Sequence, residues 1–216
     1  MQIKALAVSA LVAAMIAGCG TSAKEEPAAA AATAPAEPPK LLTGASAAML
    51  ASTCEGCHGD NGVSNGPATP SIAGMSAYYF AEAMAEFAAE DTKTTIMTRI
   101  AKGYSEEEIQ AMATYFAKQK PASANQETKT SLAMKGANLH EEYCSECHAD
   151  GGKDVSEDAG LLAGQWMPYL RNTLADYRSG ERLGGKKMLK KVEEVVDAHG
   201  EEGIEALVNY YGGQRL

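Results

Sequence analysis

A Cys-x-x-Cys-His pentapeptide occurs twice in this chain, as Cys54-Glu55-Gly56-Cys57-His58 and as Cys144-Ser145-Glu146-Cys147-His148. Two thiols in this spacing, with a histidine directly after the second, form the attachment signature of haem c. The thiols Cys54, Cys57, Cys144 and Cys147 add across porphyrin vinyl groups. His58 and His148 are then each held under an iron as an axial ligand. The competing chemistry is a zinc site or a pair of disulfides. Zinc ligand runs space Cys and His more widely, so they leave the two adjacent histidines without a role.

The sixth ligand of each iron decides what the site can do. Beyond His58 and His148 the chain holds only His140 and His199. His140 lies four residues ahead of its own attachment pentapeptide, on the same helix, and cannot easily reach the far face of the ring. His199 falls just before the last helical segment, where a polar cap belongs. Thioether ligation is the alternative, and it raises the reduction potential. In the first half the candidates are Met75, Met84, Met97 and Met112. Met84 and Met112 sit on apolar helix stripes and read as core. Met97 lies eight residues ahead of Ser105, in the segment before the last helix, and Met188 holds the matching place twelve residues ahead of Gly200. Met97 and Met188 are therefore the expected axial ligands, with Met75 and Met167 as competitors.

Those residues sit in an internal repeat. Cys54 and Cys144 are offset by 90 positions, and the offset runs on without a gap for over thirty residues. Ile72-Ala73-Gly74 aligns with Leu162-Ala163-Gly164, Tyr79 with Tyr169, and Phe87 with Tyr177. The closing helices align at an offset of 95, so the second copy carries five extra residues before its last helix. A period this long means a duplicated domain, not a solenoid. The spacing predicts a helix from Ala77 to Glu90 with Tyr79, Phe80, Ala83, Met84 and Phe87 on one face. Ser105 with Glu108 is a capping box that opens another helix, lined by Ile109, Met112, Ala113 and Phe116. No run alternates as a strand would, so the expected fold class is all-α. The expected division is a first domain at 41–120, a linker at 121–131 and a second domain at 132–216.

Ahead of them, residues 1–18 have the layout of an export signal, with Lys4 before an apolar run. That run is short for a membrane span. It ends in Ile16-Ala17-Gly18-Cys19, which resembles the bacterial lipoprotein signal in which Cys19 is lipidated. Ordinary signal cleavage is the alternative; either route takes the chain out of the cytoplasm. Residues 19–40 are rich in Ala, Pro, Glu and Thr, with no apolar periodicity, and read as a disordered tether. The expected location is the periplasm, on a lipid anchor to a bacterial membrane.

The His-Gly-Asp-Asn-Gly run, the Pro70-Ser71-Ile72-Ala73-Gly74 turn and the methionine segment before a terminal helix resemble class I cytochromes c in tandem dihaem form. The segments starting at Met97 and Leu162 look more specifically like the dihaem subunit of flavocytochrome c sulfide dehydrogenase. The resemblance implies two covalently bound haem c groups, a flavoprotein (FAD) partner that oxidises sulfide, and a soluble cytochrome c or an oxidase as electron acceptor. In that family a proline carbonyl supports the proximal histidine. Pro70 matches, whereas Gly160 stands at that place in the second copy.

The formal charge is −9, which excludes nucleic acid as a partner. Arg178, Arg182, Lys186, Lys187, Lys190 and Lys191 cluster around Met188, either as a solvated helix face or as a basic rim near the second haem. No nucleophile–base pair or nucleotide loop is present, so the chain has no catalytic site of its own. Three functions follow: the electron-transfer subunit of a flavoprotein sulfide dehydrogenase, a stand-alone dihaem carrier feeding a terminal oxidase or reductase, or a dihaem enzyme such as a peroxidase.

Overall fold

The computed structural model describes residues 44–92, 95–156, 159–183 and 185–216. The export signal, Cys19 and the tether fall outside these residues. The first half holds α1 (Ala47–His58), α2 (Ala77–Ala89), α3 (Ile96–Ala101) and α4 (Glu106–Ala117). The second holds α5 (Thr130–Leu139), the single distorted turn α6 (Ala149–Gly152), α7 (Met167–Ser179) and α8 (Lys186–Gly213). No strand occurs among the described residues, in keeping with the expected all-α class. Nor is any helix among them long and apolar enough to cross a membrane.

Local chemistry sets the helix starts. Ser46 and Ser76 cap α1 and α2 through their hydroxyls, accepting from Met49 and Tyr79 N–H. At α4 the box read from sequence is complete: Ser105 N–H donates to Glu108 Oε2 at 2.9 Å, and Glu108 N–H to Ser105 Oγ at 3.3 Å. The α4 stripe is also as expected, with Ile109, Met112, Ala113 and Phe116 all buried. They join Phe80, Met84 and Leu50 in the core of the first half. A second core, built on Leu139, Leu170, Val195, Ile204 and Leu207, serves the other half.

The repeat is visible bond by bond. In the first half the N–H groups of Ile72 and Ala73 both donate to Gly62 C=O, at 2.8 and 3.0 Å, and Gly74 N–H donates to Phe116 C=O at 2.9 Å. In the second, Leu162 and Ala163 donate to Gly152 C=O, both at 3.0 Å, and Gly164 donates to Tyr211 C=O at 2.8 Å. Helices α2 and α7 begin and end at matched positions, and each stops on a left-handed residue, Glu90 or Gly180. The copies diverge before the last helix. The segments that carry the expected methionine ligands are helical: Met97 lies in the first turn of α3, and Met188 in the first turn of α8. The extra residues extend α8 until it kinks at Gly200 (φ 64°, ψ −164°), the position matched to the Ser105 cap. His199 is thus inside the helix, its ring edge-on to Tyr143 at 6.1 Å, and not a cap.

The two halves form part of one compact unit. Gln165 holds them together. Its amide accepts from Ser71 N–H and donates to Ser71 C=O, both at 2.9 Å, and its side chain is buried. Beside it, Trp166 Nε1–H donates to Ser64 C=O at 3.1 Å. The stretch between the halves takes part as well, for Gln126 accepts from Met167 N–H and donates to the carbonyls of Gln165 and Gly212.

Candidate functional site: two haem attachment sites

In the first half α1 ends in the attachment pentapeptide. Cys54 and Cys57 are free thiols, and burial pushes the Cys54 thiol up. His58 is buried, and its Nδ1 lies 2.8 Å from Pro70 C=O. With Nδ1–H donated to that carbonyl, the Nε2 lone pair is left to coordinate. Burial, opposed by the Pro70 bond, pulls the imidazole pKa down and favours this neutral form. Cys54 and Met97 both pack against the first core. Thr53 Oγ1 and Tyr104 OH, 2.6 Å apart, tie α1 to the end of the α3 segment.

In the second half a π-helical turn, His140–Cys144, delivers the pentapeptide. Here too Cys144 and Cys147 are free thiols. A cavity of 540 Å³ opens beside them, with Cys147, His148 and Met188 in its walls. A smaller adjoining recess is lined by Cys144, Cys147, His148 and Met188. One space therefore holds a thiol, the expected proximal histidine and the expected distal methionine, as a haem requires. The large cavity is not closed by the second half alone, since Met75, Tyr79 and Glu86 of the first half also line it. Gly160, at the place matched to Pro70, has a local reason to be glycine: a Cβ there would lie 3.0 Å from the Tyr79 ring.

The remaining candidates separate in the same way. Met84 and Met112 are core, at 5% and 0% exposure. Met75 is buried on the cavity wall between the halves, and Met167 packs against Gly212. His140 is 1% exposed, with Nδ1 3.0 Å from Tyr211 OH, so it braces the last helix against the attachment turn. Among the described residues no three His, Cys, Asp or Glu side chains are grouped to hold a metal ion.

The basic cluster of the sequence does not survive as one patch. Arg178 pairs with Glu201, Lys187 with Glu146, and Lys190 and Lys191 with Glu194. Arg182 turns inward, its Nη2 3.3 Å from Tyr79 OH across the boundary between the halves. Sequence reasoning missed Gln165, Trp166 and Tyr79 as contacts between the copies. The available signal was the repeat itself, because Gln165 and Trp166 are positions at which the second copy departs from the first.

Paired thiols and a following histidine, repeated on a helical scaffold, make this a c-type cytochrome with two covalently bound haem c groups. Residues 43–116 match the family described as cytochrome c oxidase, cbb3-type, subunit III. The thiosulfate dehydrogenase electron acceptor of Thiomonas intermedia is 30% identical over 65% of this chain and 69% of that protein. The cytochrome subunit of sulfide dehydrogenase from Chlorobaculum tepidum is 41% identical over 39% of this chain and 77% of that one. The crystal structure of reduced cytochrome c4 from Pseudomonas stutzeri superposes with a TM-score of 0.65 at 26% identity, over 79% of this chain and all of that one. The chain belongs to the dihaem class I cytochromes c, and it is an electron-transfer protein.

Proposed function

We propose that this protein takes electrons from a dehydrogenase that oxidises a reduced sulfur compound, with a flavoprotein sulfide dehydrogenase as the leading donor, and passes them on to a soluble cytochrome c or an oxidase. Haem c, when bound, supplies a one-electron iron couple. The chain's own part is to fill both axial positions, His58 and Met97 in one half and His148 and Met188 in the other. The observation that carries this reading is the shared wall of the second cavity, where His148 and Met188 stand with Cys147. Such a site admits no substrate to the iron and leaves electron transfer as its task, which argues against a peroxidase. Two one-electron sites in one unit suit a donor that releases two electrons.

Thiosulfate is the second donor to consider, because the relative aligned over 65% of the chain is a thiosulfate dehydrogenase electron acceptor, whereas the sulfide dehydrogenase match spans 39%. The domain bounds at 41–120 and 132–216 are supported by the two separate cores. Lipidation at Cys19 would hold the protein in the periplasm on a bacterial membrane.

Rapid mixing of the complex purified from native membranes tests the donor. With sulfide, both haems should be reduced within one turnover of the partner; the isolated chain should stay oxidised. Reduction by thiosulfate and not by sulfide would transfer the assignment to a thiosulfate dehydrogenase. Reduction by neither would leave the stand-alone carrier.

A further inference from the structure

Arg182 is an arginine in an odd place. Its Nη2 donates to Tyr79 OH at 3.3 Å, and its guanidinium carbon lies 5.2 Å from the centre of the Tyr177 ring. Its Nε is buried and has no hydrogen-bond acceptor. Burial works against this half-buried guanidinium, but Tyr169, Tyr79 and Tyr177 around it favour its charged form, and Nε is left for a further acceptor. The nearby acid is Glu86, whose carboxyl burial pushes up while Arg182 pulls it down.

What Arg182 does face is the 540 Å³ cavity that also holds Cys147, His148 and Met188. The group that belongs there carries two carboxylates. A planar fork of N–H donors is the side chain suited to a carboxylate, and tyrosine hydroxyls complete such a cradle. The repeat adds an asymmetry. At the offset of 90 that matches α2 to α7, Arg182 corresponds to Thr92, and Tyr177 to Phe87. Thr92 donates its hydroxyl to Glu181 C=O at 3.5 Å and has no charge to offer. The second copy therefore carries a cation at a position where the first carries none.

We propose that Arg182, steadied by Tyr79 and Tyr177, clamps a propionate carboxylate of the second haem and thereby makes the two haem sites electrostatically unequal. The proposal rests on a haem filling this cavity. Arg182 acts as a positioning residue: Tyr79 belongs to the other half, so the clamp forms only when the halves are docked. A cation near an iron disfavours its oxidised, more positive state and so raises its potential. At the effective dielectric of about 20 that suits protein sites, a unit charge held beside the ring changes the reduction equilibrium constant on the order of tenfold.

The test uses the full-length holoprotein. Wild-type chain is first assayed for two haems, so that a failure of the haem reading is seen separately. Arg182→Gln should lower the reduction equilibrium constant of one haem about tenfold and leave the other unchanged, and it should shift a propionate bending mode in the resonance Raman spectrum. Arg182→Lys should keep most of the potential while shifting the same mode, because it keeps the charge and loses the fork. Glu86→Gln should leave the mode in place. Unchanged potentials and an unshifted mode in Arg182→Gln, with both haems bound, would overturn the proposal. If that variant loses the second haem, Arg182→Lys and Tyr79→Phe decide by the same mode, and an unshifted mode in both rejects the clamp.

Discussion

Gln165 shows how much one side chain can decide. Its amide satisfies both the N–H and the C=O of Ser71, and the contact is sealed from water. Gln165→Ala leaves a buried donor and a buried acceptor unpaired, at a cost of about 2 kcal/mol. In a chain of this size the melting temperature should fall by about 2–4 °C for each kcal/mol lost. Calorimetry of the holoprotein checks this, and an unchanged transition would mean that water replaces the amide. The axial assignments belong to the same scale. Met97→Ala and Met188→Ala should each remove about half of the near-infrared sulfur-to-iron charge-transfer band and lower one potential, as expected when a thioether ligand is lost. Met75 is the informative control, since it lines the wall between the halves. If Met75→Ala removes the band and Met97→Ala spares it, the ligand of the first haem is Met75.

At the scale of the element, α8 is the one that departs from its copy. Its kink at Gly200 has φ 64° and ψ −164°, a region essentially open to glycine alone. No atom lies within 4 Å of the place a Cβ would occupy. Gly200→Ala should therefore cost about 1–3 kcal/mol through backbone strain and not through a clash, and thermal denaturation would reveal it. A smaller cost would indicate that the kink relaxes. This element also marks where the sequence stops being readable. The α4 cap and stripe follow from Ser105, Glu108 and a 3.6-residue period, and all of that information lies within one turn of its target. Nothing local distinguishes the Met188 segment as helix from the same segment as loop, because packing on the second core decides it. The contacts of Gln165 with Ser71 and of Arg182 with Tyr79 span 94 and 103 residues. No periodicity encodes them; they surface in sequence only as blemishes in the repeat.

At the scale of the whole molecule, charge and attachment decide which partners are met. The cations around Met188 are mostly matched by Glu201, Glu146 and Glu194. Charge reversal at Lys187 and Lys190 should change association with an acidic partner by less than about twofold, because both are exposed and already paired. Stopped-flow association across a salt series checks it, and a steep loss of rate would restore the basic rim. Cys19→Ser should move the protein from the membrane to the soluble periplasmic fraction with both haems retained, since stable anchoring needs more than one acyl chain. An unmodified N-terminus on the mature wild-type protein would end the anchor assignment. The shared cavity wall has a longer reach. Because Tyr79 and Glu86 of the first copy line the space beside His148 and Met188, the second copy can no longer be cut away and keep its chemistry. Expressed alone, it would present an open haem face to water. Two copies of one unit have thus become dependent on each other at this site.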